Sequence, residues 1–144
     1  MNPHFVEMLR ALRDEGVEHL VIGAHALAAH GYVRATLDID IWVRPSAENA
    51  IRIWRALERF RAPLTKMKSD DFAEPGVLYQ IGVPPSRIDI MTSVTGLEFD
   101  AAWSRRIMAA FGDIDVPVLG GQDLRTAKRA AGRLKDLADL EELG

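Results

Sequence analysis

Residues 21–43 read V-I-G-A-H-A-L-A-A-H-G-Y-V-R-A-T-L-D-I-D-I-W-V and contain the most informative pattern of the chain. Near the end of this stretch, Asp38 and Asp40 alternate with three apolar residues, Leu37, Ile39 and Ile41. In a strand, the two carboxylates would share one face, about 6–7 Å apart, and the apolar side chains would face a core. Aspartate is a poor strand former, and carboxylates beside buried apolar residues are costly without a positive partner. The pattern therefore indicates a site for a divalent cation such as Mg²⁺, which takes oxygen ligands and often bridges to substrate phosphates.

A short apolar strand precedes this acidic strand and ends in a glycine. Residues 19–22 (H-L-V-I) are typical of a buried strand, Gly23-Ala24 follows, and residues 25–30 favour a helix. Glycine between a strand and a helix allows a ligand to approach the backbone, where free N–H groups attract an anion. We therefore expect Gly23 to contact a phosphate, although it could instead be a packing or turn glycine.

A third acid lies in a later apolar stretch. Asp89 is flanked by two isoleucines in residues 87–91, which repeats the apolar–acid–apolar pattern. If this strand lies beside the first acidic strand, three carboxylates converge, and they would repel one another without a counter-charge. A pair of Mg²⁺ ions would supply that charge. The alternative is that the acids are structural and form salt bridges with Arg34, Arg44 or Arg87.

Together these stretches resemble the nucleotidyltransferase superfamily, whose members have a DNA-polymerase-β-like catalytic core. The shared pattern is an apolar strand, a glycine turn, a strand with Asp-x-Asp and a later strand with a third acid. Residues 23–40, with the G-A, G and R-A-T-L-D-I-D segments, resemble the small prokaryotic members, including the toxin components of abortive-infection systems. Residues 132–140 (G-R-L-K-D-L-A-D-L) also resemble these members. The chain departs from the usual Gly-Gly or Gly-Ser pair at Ala24, which offers a phosphate only its backbone N–H.

The resemblance implies roles for individual residues. Asp38 and Asp40 would ligate two Mg²⁺ ions, and Asp89 would ligate the ion on the acceptor side and help to deprotonate the acceptor hydroxyl. Implied nucleotide-binding residues are Gly23, Ala24, Arg34, Thr36 and Lys135. Arg34 could clamp a phosphate or pair with the acids, and Thr36 could simply satisfy a local turn. The alternative for Lys135 is a solvated helix surface.

Composition limits the class of protein. The chain has 144 residues, 48% hydrophobic and 27% charged, which is ordinary for a globular domain, so we predict one domain over residues 1–144. It has no cysteine, which excludes disulfides and thiolate metal sites. A net charge of −3 argues against a general coat on nucleic acid. No apolar run approaches the ~20 residues that span a bilayer, and no targeting segment is evident, so we expect a cytoplasmic protein without a membrane partner.

Periodicity and turn residues predict the other elements. Apolar residues at helical spacing predict a helix over residues 4–15, and Ser46 is a candidate N-cap for a helix that ends near Phe60. Further predicted elements are helices over 98–108, 122–131 and 133–143, strands over 77–81, 87–91 and 113–119, and a loop over 61–75. The predicted fold is α/β (α+β), a small mixed sheet flanked by helices as in nucleotidyltransferases.

The function predicted from the resemblance is nucleotidyl transfer. A metal-dependent enzyme would move a nucleoside monophosphate from a nucleoside triphosphate to an acceptor hydroxyl on RNA (tRNA included), a protein or a small molecule. One version is the toxin of a toxin–antitoxin pair. Because so short a chain leaves little beyond the core to bind an acceptor, an antitoxin or a second copy in a homo-oligomer could complete it. The alternative is a non-catalytic nucleotide-sensing or protein-binding module that retains the fold.

Overall fold

The computed structural model describes residues 1–32, 38–84 and 86–144, which form a six-stranded sheet flanked by helices. The strands are β1 (His19–Ile22), β2 (Ile39–Val43), β3 (Leu78–Ile81), β4 (Ile88–Met91), β5 (Ile107–Phe111) and β6 (Ile114–Val118). The helices are α1 (Pro3–Asp14), α2 (Gly23–Ala29), α3 (Ala47–Phe60), α4 (Phe99–Ser104), α5 (Gly121–Ala131) and α6 (Leu134–Leu143). None of the helices in these described ranges is long and apolar enough to cross a membrane.

The sheet is mixed, with the strand order β3-β4-β2-β1-β6-β5. β1 runs antiparallel to β2 and parallel to β6, and β2 runs parallel to β4. The edge strands β3 and β5 are antiparallel to their neighbours. The carboxyl end of β1 therefore lies beside the amino ends of β2 and β4. This architecture confirms the predicted fold class.

The first and third helices begin where the sequence predicts. The Asn2 side chain accepts a hydrogen bond from the backbone N of His4 (2.8 Å), and the Ser46 hydroxyl accepts one from the backbone N of Asn49 (3.2 Å). Each cap satisfies an N–H group that a helix start leaves unpaired. α1 packs against α3, and the residues at helical spacing in α1 are buried: Phe5, Met8, Leu9, Ala11 and Leu12.

The prediction for residues 98–108 was wrong in its second half. α4 ends at Ser104, and residues 107–111 form the edge strand β5, joined to β6 by a turn at Gly112 (φ +63°). Met and Ala favour helices locally, but hydrogen-bonded pairing with β6 overrides that preference, because strand propensity depends mainly on tertiary context. Two smaller differences are a 3-10 helix (Ser69–Ala73) in the predicted loop and the start of α2 at Gly23, two residues earlier than predicted.

Candidate active site

The carboxylates of Asp40 and Asp89 meet near the amino ends of the neighbouring strands β2 and β4, beside the carboxyl end of β1. The parallel register of β2 and β4 pairs Asp40 with Asp89, and the antiparallel register of β1 and β2 pairs Asp40 with Ile22. The flanking Ile39 and Ile41 are completely buried, so the apolar side chains of β2 enter the core as expected. Strand pairing, which the sequence could only suggest, therefore brings two of the three acids together.

Asp38 joins this pair through Arg87. The backbone N of Arg87 donates to Oδ1 of Asp38 (2.9 Å), and its Nη2 lies 3.6 Å from Oδ2 of the same carboxylate. The Arg87 guanidinium also donates to both oxygens of Asp89, through Nε (2.8 Å) and Nη2 (3.1 Å). Of the three arginines considered as structural partners, Arg44 pairs with other acids, Glu18 and Asp100. Arg34 lies outside the described residues.

Asp40 is the acid with the least favourable surroundings. Burial, followed by the charge of Asp89, a hydrogen bond with its carboxyl and the charge of Asp38, raises the pKa of Asp40 from 3.8 to about 6. The opposing effect of Arg87 is the smallest of these causes. Between about pH 4 and pH 6, such a carboxyl holds a proton that an isolated Asp would have lost, because burial and the neighbouring carboxylates disfavour its charged form.

Gly23 makes room for the Asp40 carboxylate. It adopts φ +68°, and a Cβ at this position would lie 2.5 Å from Oδ2 of Asp40, far inside van der Waals contact. The glycine turn and the acidic strand are therefore parts of one site. The close approach supports the packing interpretation of Gly23, and it leaves the backbone beside the carboxylates, where the phosphate interpretation requires it to be.

The remaining predicted residues have different positions. Ala24 follows Gly23 in the first turn of α2 and is half-buried. Lys135 lies in the first turn of α6 and is exposed to solvent. Arg34 and Thr36, like Leu37, lie outside the described residues, so their predicted roles stay predictions.

The sequence interpretation missed a charged cluster where α5 meets α6. Asp136 is fully buried and accepts hydrogen bonds from the Nε (2.6 Å) and the backbone N (3.2 Å) of Arg133, while Nζ of Lys128 lies 3.4 Å away. Hydrogen bonding to Asp136 raises the pKa of Arg133, and the charge of Asp40 adds to this effect, so the cluster interacts electrostatically with the carboxylate site. The available signal was the spacing of Arg133 and Asp136, which matches a capping box after Gly132.

Comparison with known proteins finds similarity in fold. No protein-family profile matches the chain, and a search of curated proteins finds no match. Among solved structures, the crystal structure of a "putative nucleotidyltransferase" from Thermotoga maritima is similar, with a TM-score of 0.65 and 18% sequence identity. The similarity covers 99% of this chain and 93% of that one. The chain has a nucleotidyltransferase-like fold.

The donor set of the carboxylate site fits a hard divalent cation. In this nucleotidyltransferase-like fold, Asp38, Asp40 and Asp89 offer only oxygen ligands, and burial and the neighbouring carboxylates raise the pKa of Asp40. As the side chains stand, no group of three or more acidic or imidazole residues in the described ranges is arranged to hold a metal ion. The guanidinium of Arg87 lies against two of the three carboxylates, Asp38 and Asp89.

Proposed function

We propose that this protein is a Mg²⁺-dependent nucleotidyltransferase, which transfers a nucleoside monophosphate from a nucleoside triphosphate to an acceptor hydroxyl. The observation that supports this most directly is the register that pairs Asp40 with Asp89, in a nucleotidyltransferase-like fold. The contact of Arg87 with both Asp38 and Asp89 adds the third carboxylate to the same cluster. A carboxyl with a raised pKa, such as that of Asp40, in a cluster of acids is characteristic of functional sites.

The proposed roles follow from the positions of the acids. Asp38, Asp40 and Asp89 would hold two Mg²⁺ ions. Bound there, the ions would lower the pKa of the attacking hydroxyl and stabilise the charge that develops on the leaving pyrophosphate. Asp89, the most buried of the three, would also orient and help to deprotonate the acceptor hydroxyl. At a pH near or below 6, the proton that Asp40 holds in the free protein would be released when the cluster receives positive charge, because protons and cations compete for the same oxygens.

Phosphate binding would rely on backbone and basic groups around the carboxylates. Gly23 and Ala24 would present backbone N–H groups, since the absence of a Cβ at Gly23 already brings the chain against Asp40. Lys135, and its neighbour Arg133, would approach from the start of α6; the charge of Arg133 interacts with Asp40. Arg34 and Thr36 complete the proposed set from the sequence pattern.

Direct assay of transfer tests this proposal. The protein would be incubated with Mg²⁺, radiolabelled nucleoside triphosphates and candidate acceptors: tRNA, the protein itself and proteins encoded beside it. Asp38→Ala and Asp40→Asn should each lower transfer at least about 100-fold, because each removes charge stabilisation at the reacting phosphate. The matched control is Asp113→Asn, since Asp113 is 72% exposed in the turn before β6 and pairs with Arg10. Equal transfer by the wild type and Asp40→Asn would exclude the assigned site.

The toxin version of this function has its own test. If transfer inactivates a cellular RNA or protein, expression of the wild type should arrest growth and expression of Asp40→Asn should not. Co-expression of an antitoxin encoded beside it should restore growth. Normal growth during wild-type expression would argue against a toxin and leave the enzymatic proposal in place.

Two features favour a non-catalytic module as the second candidate. Ala24 lacks the hydroxyl of a Gly-Ser pair, and Arg87 already binds two of the three acids. Calorimetry with ATP and GTP, with and without Mg²⁺, separates the candidates. Metal-dependent binding of a triphosphate supports the enzyme, whereas the absence of binding at millimolar nucleotide supports a module that recognises a protein partner or a second copy of the chain.

A further inference from the structure

Arg87 occupies the carboxylate oxygens that a cation would use. Its Nε and Nη2 donate to both oxygens of Asp89, and Nη2 also lies 3.6 Å from Oδ2 of Asp38. A guanidinium on these oxygens fills lone pairs that a metal ion could use and places a second positive charge within contact distance, so it weakens the binding of a metal ion to the same carboxylates. Binding of a divalent cation by these acids therefore favours displacement of the Arg87 side chain.

The backbone of Arg87 cannot leave with the side chain. Its N–H donates to Oδ1 of Asp38 (2.9 Å), and its carbonyl accepts from the backbone N of Ile39 (3.0 Å). These bonds anchor the residue at the beginning of β4, beside β2. The side chain is 30% exposed, so it has solvent on one side and room to rotate. A displaced guanidinium thus stays within a side-chain length of Asp38 and Asp89.

An anion that takes the place of the carboxylates as the partner of the Arg87 guanidinium must therefore bind within reach of this side chain. In the proposed reaction, the triphosphate binds beside the cation held by these acids. The planar guanidinium, with its parallel N–H groups, binds phosphate oxygens in the same two-pronged geometry that it uses here on Asp89. The three acids and the triphosphate then share the positive charges of the cations and of Arg87.

We propose that Arg87 exchanges one anion for another: it holds Asp89 and Asp38 in the metal-free protein and binds the triphosphate once a divalent cation has taken those carboxylates. Arg87 is then both an internal competitor of the metal and a substrate-binding residue. This inference rests on the proposed function, since it assumes that the carboxylates bind a cation and a nucleotide. It predicts that removing the guanidinium has opposite effects on the affinities for the two ligands.

The first measurement is calorimetric titration of the metal-free protein with Mn²⁺ or Mg²⁺ alone. Arg87→Gln should bind the ion about tenfold more tightly than the wild type, because a competing positive charge within contact distance is gone. The matched control is Arg10→Gln, which removes the same charge from the pair with Asp113. β6 runs parallel to β1, so the turn that precedes β6 lies at the other end of these strands, away from the carboxylates. Arg10→Gln should change the metal affinity less than twofold.

The second measurement uses a non-hydrolysable nucleoside triphosphate at saturating Mg²⁺. Arg87→Gln should bind the nucleotide at least about tenfold more weakly, since a charged bidentate phosphate contact is lost. Arg87→Lys keeps the positive charge but loses the two parallel N–H groups. It should bind the nucleotide more tightly than Arg87→Gln does, while still competing with the metal. Urea unfolding of each variant verifies that it is folded under the titration conditions.

The outcomes separate this inference from the function on which it rests. Metal binding that is abolished by Asp40→Asn but unchanged or weakened in Arg87→Gln would overturn the role of Arg87 and leave the carboxylate site intact. Nucleotide affinity that is the same in the wild type and in Arg87→Gln would also overturn it. If neither the wild type nor Arg87→Gln binds a divalent cation, the proposed function and this inference fail together.

Discussion

Asp136 in α6 and Asp40 in β2 are both acids removed from bulk water, but the protein surrounds them differently. Burial would raise the pKa of Asp136, yet hydrogen bonds from the side chain and backbone of Arg133, with the charge of Lys128, outweigh burial and lower it. Asp40 is partly buried beside two further carboxylates, and burial, followed by the charges of these neighbours, raises its pKa to about 6. The surroundings of Asp136 stabilise its charged form, whereas the surroundings of Asp40 destabilise the charged form.

This difference distinguishes an acid whose charged form the fold stabilises from one whose charged form the fold destabilises. The contacts of Asp136 join Lys128 at the end of α5 to Arg133 at the start of α6, so its charge holds two helices together. The carboxylate site instead brings the buried Asp40 beside two further carboxylates, which destabilises its charged form. Stability and function should therefore respond in opposite ways when the two acids are replaced.

The largest effect on stability is expected at Asp136. Asp136→Ala should lower the free energy of unfolding by about 3 kcal/mol, because it leaves the buried ammonium of Lys128 with fewer partners and removes a helix cap. Urea denaturation measures this loss. Asp113→Ala, which removes an exposed acid and its surface ion pair, should cost less than about 0.5 kcal/mol. Equal losses in the two variants would contradict the structural role of Asp136.

A smaller effect tests how closely the glycine turn fits Asp40. Gly23→Ala should destabilise the protein by about 2 kcal/mol, of which about 1 kcal/mol is the cost of a side chain at positive φ and the rest is the clash with Oδ2 of Asp40. Gly76→Ala is the matched control, since Gly76 has φ +79° and open space where its Cβ would lie. It should cost only the backbone part.

A double variant isolates the clash. In an Asp40→Ala background, Gly23→Ala should cost no more than Gly76→Ala, because the carboxylate that its Cβ would meet is gone. If the cost of Gly23→Ala stays the same in both backgrounds, the contact with Asp40 is not its cause.

The smallest effect is a gain of stability on neutralising Asp40. In the metal-free protein at pH 8, Asp40→Asn should raise the free energy of unfolding by about 1–2 kcal/mol, because the wild type must hold a poorly compensated charge. The folded-state pKa lies above the ordinary value of 3.8, so the folded protein binds this proton more tightly than the unfolded chain does. The contribution of Asp40 to wild-type stability therefore falls as the pH rises from about 4 to about 6.

The same measurements at several pH values sharpen the contrast between the two acids. The advantage of Asp40→Asn over the wild type should shrink at pH 5, where the wild-type carboxyl is largely protonated. The lowered pKa of Asp136 has the opposite sign, so its stabilising contribution should be lost only as the pH falls below the ordinary range of an aspartate. If the wild type has a higher free energy of unfolding than Asp40→Asn at pH 8 without metal, this would contradict the raised pKa assigned to Asp40.

Local patterns were sufficient to predict most of the elements. The apolar run of β1, the alternation in β2 and the capped helices α1 and α3 are each encoded within a few neighbouring residues. β5 could not be predicted in this way, because I-M-A-A-F carries a helical preference that is overridden by pairing with β6. A strand at the edge of a sheet owes its conformation to the neighbouring strand, which local sequence does not describe.

The sequence by itself indicated the candidate acids and the glycine turn, because these depend on residue type and short-range spacing, and its resemblance to nucleotidyltransferases implied the fold. Tertiary structure alone decided which acids meet and which of the described arginines lies against them. The parallel register of β2 and β4 pairs Asp40 with Asp89, and among the described residues the guanidinium of Arg87 lies against Asp89. Charge interactions depend on distances across strands and helices, and such distances exist only once the chain has folded.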